Sequence, residues 1–236
     1  MSGGVFITGT DTGVGKSLFA AALLHRLAAA GVAAAGYKPV SAGCEPVDGR
    51  LVNEDAALLQ AAAPVALPLE TVNPVALEPA VAPHLAAADA GIRLSVRPLA
   101  EGFRAVAGQA RFVVVEGAGG WRVPLNATET LADLARELAL PVVLVVGLKL
   151  GCLNHALLSA EAVRRDGLTL AGWVANMADP AMPRLEGNIE TLRRRLEAPL
   201  MARLPACPEA TPGGRARRAA RAIGGEALAL LGAGPA

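Results

Sequence analysis

Aromatic residues, cysteines and net charge are all scarce in this sequence, and each shortage limits what the protein can be. Aromatic side chains make up only 3% of the residues, so alanine, leucine and valine must build the core. The three cysteines, Cys44, Cys152 and Cys207, lack C-x-x-C spacing, so neither a disulfide framework nor a zinc site is predicted. A net charge of +1 argues against a nucleic-acid partner, because phosphate-backbone binding normally requires a strongly basic surface.

Long hydrophobic segments are also missing. The longest apolar run, residues 141–148, ends at Lys149 and is far shorter than the roughly 18 residues that a membrane-spanning helix needs. No charged start followed by an apolar run and a cleavage site is found at the N-terminus. We therefore expect a cytoplasmic protein with no membrane partner. The arginines of residues 215–221 are interpreted as a solvated helix face.

Short β-prone apolar runs alternate with longer helical patterns, which is typical of parallel strands joined by helical crossovers. Strands are predicted at residues 5–8, 34–39, 112–116, 142–146, 170–175 and 200–204, and helices at 17–30, 55–62, 99–109, 130–137, 153–165, 184–196 and 214–231. Continuous apolar runs in two of the strands indicate burial on both faces. We expect one α/β domain over residues 1–236, a mostly parallel sheet flanked by helices on both faces. Residues 64–83 contain five prolines and are predicted to form a long loop.

A glycine-rich segment, GTDTGVGKS over residues 9–17, joins the first predicted strand to an Ala/Leu-rich helix. Glycines allow backbone N–H groups to converge on a phosphate, and the helix start adds its positive dipole. Lys16 would then reach the β- and γ-phosphates, and the Ser17 hydroxyl would bind Mg²⁺. The strict P-loop pattern requires glycine where this chain has Thr10, so the loop is a variant. An ordinary glycine-rich turn is the alternative interpretation.

Two carboxylates could complete a magnesium site. Glu116 ends a predicted buried strand, and ligands of open α/β sheets bind outside the carboxyl ends of the strands. A buried carboxylate there would need a cation as partner. Asp55 precedes a predicted helix and could either bind the metal or cap that helix.

Lys38 ends the second predicted strand, and Pro39 holds it in an extended conformation that faces the same crevice. A second lysine near the phosphates suggests chemistry on an anion in addition to ATP hydrolysis. The alternative is a surface lysine whose ammonium group extends to solvent.

Six segments together resemble one family, the dethiobiotin synthases. They are GTDTGVGKS (9–17), YKPV (37–40), TVNP (71–74), EGAGGW (116–121), VVGLKLGCLNH (145–155) and GWVAN (172–176). They occur in that family's order and extend from residue 9 to about residue 205. The combination is far more specific than the phosphate loop alone, which many ATPases and GTPases share.

The resemblance implies a P-loop NTPase-like fold and a homodimeric, Mg²⁺-dependent ligase of biotin synthesis whose active site is shared across the interface. Such an enzyme joins CO₂, or bicarbonate as its source, to 7,8-diaminononanoate with ATP, and yields dethiobiotin, ADP and phosphate. The implied course is carbamate formation on one amine, phosphorylation of the carbamate and ring closure by the second amine.

The resemblance also implies roles for individual residues. The catalytic group would be Lys38, Lys16 and Thr12, and Mg²⁺ would be bound by Ser17, Asp55 and Glu116. The implied nucleotide contacts are Gly13, Val14, Gly15, Lys16, Ser17, Asp55, Glu116, Gly117, Ala118, Gly119, Asn176, Met177, Pro205, Ala206 and Cys207. The implied substrate contacts are Ser41 and Ala42, together with Gly151, Cys152, Leu153 and Asn154 of the partner subunit.

This chain departs from the family pattern at two positions. Ala42 stands where the family usually has a substrate-contacting hydroxyl, and Ser41 lies one residue earlier. Gly13 stands where an acidic residue is frequent. Two other functions stay open: a related P-loop ligase or amidase with a different substrate, and a regulatory ATPase switch of the partitioning type.

Overall fold

The computed structural model describes residues 3–177, 182–206 and 211–233, and parallel strands form the centre of this part of the chain. In chain order the strands are β1 (Gly3–Gly9), β2 (Ala34–Tyr37), β3 (Val40–Ala42), β4 (Glu45–Val47), β5 (Arg50–Val52), β6 (Val75–Leu77), β7 (Phe112–Glu116), β8 (Val142–Gly147), β9 (Leu170–Asn176) and β10 (Leu200–Leu204). The central sheet has the order β10-β9-β8-β1-β7-β2, and every pairing in it is parallel.

Helices connect these strands and cover the sheet. They are α1 (Lys16–Ala29), α2 (Glu54–Ala62), α3 (Leu69–Val72), α4 (Pro83–Asp89), α5 (Val96–Ala107), α6 (Leu131–Leu138), α7 (Cys152–Arg165), α8 (Leu185–Arg195), α9 (Pro212–Ala220) and α10 (Gly225–Leu230). No helix in the described ranges is long and apolar enough to cross a membrane. Every residue of β7 and β8 is buried, as expected for strands covered on both faces.

The predicted α/β fold class is confirmed, and each of the six predicted strands corresponds to a strand of the central sheet. The order of the strands reverses around β1, which lies between β7 and β8. In an open α/β sheet such a point leaves a crevice at the carboxyl ends of the strands. The segments that follow β1, β2 and β7 therefore approach one another, and they carry Lys16, Lys38 and Glu116.

The structure differs from three predictions about local structure. Residues 64–83 are not a plain loop, because they contain α3 and β6, and β6 pairs with β3 beside the central sheet. The predicted helix over residues 214–231 is interrupted between α9 and α10, where Gly224 disfavours helix. The strand predicted at residues 34–39 ends at Tyr37, and β3 begins after Pro39. The hairpin of β4 and β5 was not predicted.

Close packing between α2 and β2 sets the position of Asp55, and it depends on Gly36. A Cβ atom on Gly36 would lie 3.0 Å from Cβ of Leu59 and 3.4 Å from Cδ1 of Leu24. We expect Gly36→Ala to lower the free energy of unfolding by about 1–3 kcal/mol, measured by urea unfolding, because both neighbours belong to a tightly packed core.

Gly187 provides the control for this prediction. It lies in α8, is exposed, and has no atom within 4 Å of the position that a Cβ would take. Gly187→Ala should raise stability by about 0.5–1 kcal/mol, since alanine loses less conformational freedom in a helix. A Gly36→Ala protein as stable as the original would show that α2 can move away from β2 without cost.

Candidate active site

The phosphate loop joins β1 to α1 with the backbone geometry that its glycines predict. Gly13 and Gly15 have φ angles of 72° and 96°, in the left-handed region that favours glycine. At Gly15 a Cβ would lie 2.2 Å from Nδ2 of Asn176, so any side chain would displace that residue. Asn176 in turn donates from Nδ2 to the carbonyl of Val14 at 2.8 Å. The end of β9 thus supports the phosphate loop directly.

Lys16 lies folded against its own loop. It is buried, and its Nζ donates to the carbonyl oxygen of Asp11 at 3.0 Å. Burial lowers the pKa of Lys16, while the charge of Glu116 acts in the opposite direction. A phosphate in the loop would provide the anion that this ammonium lacks.

A cluster of Lys38, Glu116, Asp55 and Ser17 lies beside the phosphate loop. Nζ of Lys38 is 2.8 Å from Oε1 of Glu116 and 3.3 Å from Oδ2 of Asp55. The Ser17 hydroxyl also donates to Oε1 of Glu116, at 2.7 Å. Lys38 is 4% exposed and Glu116 is fully buried. The interpretation of Lys38 as a surface lysine is therefore wrong.

Charge neutralisation decides the protonation of Lys38. Burial lowers its pKa, but the charges of Glu116 and Asp55 outweigh that effect, so the pKa lies above its ordinary value. The ammonium form therefore persists at neutral pH. Asp55 is not the helix cap, because Oδ1 of Asn53 accepts the bond from Ala56 N at the start of α2. Asp55 remains available to the cluster.

The donor set of this cluster fits Mg²⁺. A hydroxyl and two carboxylates are the hard oxygen ligands that this ion takes in proteins, usually completed by phosphate and water. Oε2 of Glu116 is buried and has no hydrogen-bond partner among the residues described, so it is the atom that most needs a cation. No group of three or more His, Cys, Asp or Glu side chains in the described ranges forms a metal site of its own. Phosphate oxygens would therefore have to complete the coordination.

A cavity of about 1050 Å³ brings most of the predicted site residues together. Its predicted lining residues are Thr12, Gly13, Gly15, Lys16, Ser17, Lys38, Ser41, Ala42, Asp55, Glu116, Ala118, Gly119, Asn176, Pro205 and Ala206. Val14, Gly117 and Met177 adjoin these residues in sequence without lining the cavity. Cys207 lies outside the described residues.

Some lining residues were not predicted from the sequence. Arg215 of α9 is exposed, as expected for a solvated helix face, and it also lines the cavity. Arg122, in the segment after β7, also lines the cavity. Neither arginine belongs to one of the recognised motifs, and an arginine in a helix with an exposed face gives no sequence signal for a cavity.

The predicted substrate contacts Gly151, Cys152, Leu153 and Asn154 do not line the cavity of this chain. They form the start of α7, and an ion pair of 3.0 Å between Lys149 and Asp11 links the segment before α7 to the phosphate loop. The hydrogen bond from Lys149 is the main reason that the pKa of Asp11 is lowered. Leu150 is 97% exposed, so an apolar side chain faces outward at this point.

Known proteins that resemble this chain identify its family. Residues 3–213 match the protein family described as an AAA domain. The ATP-dependent dethiobiotin synthetase BioD of Pseudomonas aeruginosa is 59% identical over 208 residues, which cover 88% of this chain and 91% of the relative. The protein of the same name from Xanthomonas oryzae pv. oryzae is 51% identical over 212 residues, 90% of this chain and 95% of the relative. The chain belongs to the dethiobiotin synthetase family.

The family resemblance seen in the six sequence motifs is thus confirmed. Solved structures at lower identity share the fold of this dethiobiotin synthetase family member. A ParA family ATPase from Chlorobium tepidum has a TM-score of 0.60 at 15% identity, with 96% of this chain and 98% of that one covered. The septum site-determining protein MinD of Pyrococcus horikoshii has a TM-score of 0.59 at 17% identity, with 93% of both chains covered. At such identities the likeness concerns the fold alone.

Because Lys38 neutralises two carboxylates, we expect Mg²⁺ alone, without nucleotide, to change the thermal stability of a Lys38 variant. Lys38→Met should lower the thermal midpoint, because it leaves the buried Glu116 carboxylate without its counter-ion. Millimolar Mg²⁺ should restore much of that loss in the variant and change the original protein little, because Lys38 already neutralises the carboxylates there. Differential scanning calorimetry would measure both shifts.

Arg104→Gln is the control, since it breaks an exposed ion pair with Glu137 far from the cluster. Its thermal midpoint should change little, with or without Mg²⁺, because exposed pairs contribute about 0–1 kcal/mol. Equal magnesium shifts in the original protein and Lys38→Met would show that the ammonium and the cation do not share these carboxylates.

Proposed function

We propose that this protein is a dethiobiotin synthase that uses ATP and Mg²⁺ to convert 7,8-diaminononanoate and CO₂ into dethiobiotin, ADP and phosphate. The observation that carries this proposal is the position of Lys38, which lines the same cavity as the phosphate loop and contacts the carboxylates of Glu116 and Asp55. A simple nucleotide switch has no evident use for a second buried ammonium there. The curated dethiobiotin synthetases at 50–59% identity support the same reaction.

The proposed reaction has three steps. One amine of the substrate attacks CO₂ and loses a proton, which gives a carbamate. An oxygen of that carbamate then takes the γ-phosphoryl group of ATP, and ADP leaves. Finally the second amine attacks the carbonyl carbon of the mixed anhydride and loses a proton, phosphate leaves, and the cyclic urea closes.

The chain contributes positioning and positive charge to these steps. Phosphoryl transfer needs alignment and charge neutralisation more than covalent protein chemistry. Lys16 would bind the β- and γ-phosphates after it leaves the carbonyl of Asp11, and Thr12 would contact phosphate from the exposed side of the loop. Lys38 would stabilise the carbamate and the transferred phosphoryl group.

Nucleotide binding would use the other lining residues. Mg²⁺, bound by Ser17, Asp55 and Glu116, would neutralise the phosphate oxygens. The side-chain Nδ2 of Asn176 is already bonded to Val14, which leaves its Oδ1 to accept a hydrogen bond from the adenine amino group. Pro205 and Ala206, with Cys207 next to them in sequence, would lie beside the base.

A regulatory switch of the partitioning type is the weaker candidate. The likeness to ParA and MinD proteins supports a common fold at 15–17% identity, whereas the synthetases are several times more similar in sequence. One experiment separates the two functions. ADP release should require both diaminononanoate and bicarbonate, and mass spectrometry should detect the cyclic urea.

Two lysine variants sharpen that experiment. Lys38→Gln should lose product formation yet keep nucleotide affinity in isothermal titration, whereas Lys16→Gln should lose both. ATP hydrolysis that is independent of the diamine, with no cyclic urea, would contradict the proposed function.

Because Ala42 has no hydroxyl, we expect this chain to bind the diamine more weakly than a variant with serine at this position. Both Ser41 and Ala42 line the cavity, but the Ser41 hydroxyl already donates to Oδ1 of Asn73 at 2.7 Å. Ala42→Ser should therefore lower KM for the diamine by about two- to tenfold, the value of one net hydrogen bond. Steady-state kinetics would measure this. No effect of Ala42→Ser, together with a raised KM in Ser41→Ala, would assign the contact to Ser41 instead.

A homodimer would complete the site, because the substrate carboxylate needs a binding site distinct from the phosphate loop. N–H groups in the first turn of α7, at Leu153 and Asn154, have no preceding helical carbonyls and would suit an anion. The Cys152 N–H already donates to the carbonyl of Lys149 at 2.9 Å. Since this turn does not line its own cavity, we propose that it serves the partner's. The exposed Leu150 and Leu158 give that surface apolar contacts.

Leu150→Asp should therefore yield a monomer with little turnover, whereas Leu230→Asp, at another exposed apolar position, should leave both properties unchanged. Sedimentation and activity assays over a dilution series would test this. A fully active monomer would contradict a shared site without affecting the roles of Lys16 and Lys38.

A further inference from the structure

The carboxamide of Asn73 is buried in the turn between α3 and β6, beside the segment that carries Lys38. Its Nδ2 donates to the carbonyl of Lys38 at 2.7 Å and to the carbonyl of Val75 at 3.3 Å. Both partners are backbone carbonyls, which can only accept hydrogen bonds, so the NH₂ group must face them. The backbone therefore determines the orientation of this side chain.

The other side of the carboxamide holds Ser41. Oδ1 of Asn73 can only accept, so the bond of 2.7 Å to Oγ of Ser41 must use the serine proton. Ser41 is 1% exposed although it lines the cavity. Sγ of Cys44 lies 3.2 Å from the same Oγ and also donates to the carbonyl oxygen of Ser41 at 3.8 Å. The Ser41 hydroxyl is thus fixed in direction by two buried neighbours.

Residues 72 and 73 together hold Lys38 from both sides of its backbone. The amide N of Lys38 donates to the carbonyl of Val72 at 2.7 Å, and its carbonyl accepts from Asn73. Pro39, the next residue, has no N–H to donate and a fixed φ angle. Lys38 lies between two strands, so these bonds replace the strand pairing that would otherwise fix its backbone.

We propose that Asn73 is the positioning residue of the Lys38 ammonium. By binding the Lys38 carbonyl and the Ser41 hydroxyl, it fixes the segment 38–41 from which Lys38 reaches Oε1 of Glu116 and the cavity. Its effect on turnover rests on the proposed function. Its mechanical coupling to Lys38 does not, because the ion pair already exists in the free protein.

The first test separates positioning from general stability. Asn73→Asp keeps the shape and the acceptor for Ser41 but removes the donor to Lys38, and Asn73→Ala removes both. Each should lower kcat by about tenfold or more, since misplacing a reacting group by about 1 Å can cost up to a hundredfold. Nucleotide affinity, measured by titration, should change far less than kcat because the phosphate loop is untouched.

Gln60 provides a matched control, because its Nε2 also donates to a loop carbonyl, that of Leu67, at 2.8 Å. Gln60 does not line the cavity, so Gln60→Ala should lower the thermal midpoint without lowering kcat. An equal loss of kcat in Gln60→Ala, or an unchanged kcat in Asn73→Asp, would overturn the proposal.

The second test needs no substrate. Thermal midpoints are measured for the original protein, Lys38→Met, Asn73→Asp and the double variant. If Asn73 positions Lys38, the loss caused by Lys38→Met should shrink by about half or more in the Asn73→Asp background, since coupled residues are not additive. Additive losses would overturn the proposal, even if the enzyme makes dethiobiotin. If the two losses are not additive but the protein makes no cyclic urea, Asn73 still positions Lys38, and only the proposed function is contradicted.

Discussion

The buried carboxylate of Glu116 is the constraint on which the site depends. Removing such a group from water costs several kcal/mol, and a partner of opposite charge must offset that cost. Oε1 receives its two hydrogen bonds from Lys38 and Ser17, which belong to the segment after β2 and to the start of α1. Three segments far apart in the chain must therefore meet at one oxygen atom. Sheet order alone brings them near, and this carboxylate fixes their contact.

The Lys38 ammonium would have two alternative sets of partners, and it cannot neutralise both at the same time. In the free protein its ammonium balances Glu116 and Asp55, whereas in the proposed reaction it would face the carbamate and the transferred phosphoryl group. The carboxylates that it leaves would again lack a counter-ion. Mg²⁺ would supply that charge, so in the proposed reaction magnesium binding and the release of Lys38 would be two parts of one exchange. This coupling would hold the lysine on its two carboxylates until nucleotide and metal are present.

The features that could be predicted from the sequence are those encoded within a short, contiguous stretch of residues. The strands of the central sheet are continuous apolar runs, and the phosphate loop is a contiguous motif, so both are visible in short windows. Strands β3 and β6 have three residues each, too few for any periodicity, and they are recognisable only through their pairing. The sequence leaves Asp55 open between a helix cap and a metal ligand, and the cap is excluded only by the bond from Ala56 N to Asn53. The contacts of Asn73 cross 35 residues to Lys38, and nothing in the intervening sequence indicates them.

The elements of this molecule form two groups that position different parts of the site. The central sheet, the phosphate loop and α1 follow the fold that also occurs in ParA and MinD proteins, where the likeness extends over more than nine-tenths of the chain. The short elements β3, α3 and β6 surround Lys38 and Ser41 instead. A sheet can position a phosphate through backbone geometry, but it cannot by itself place a second ammonium within reach of the same phosphate. That ammonium needs a backbone held outside the sheet, and the bonds from Val72 and Asn73 provide it.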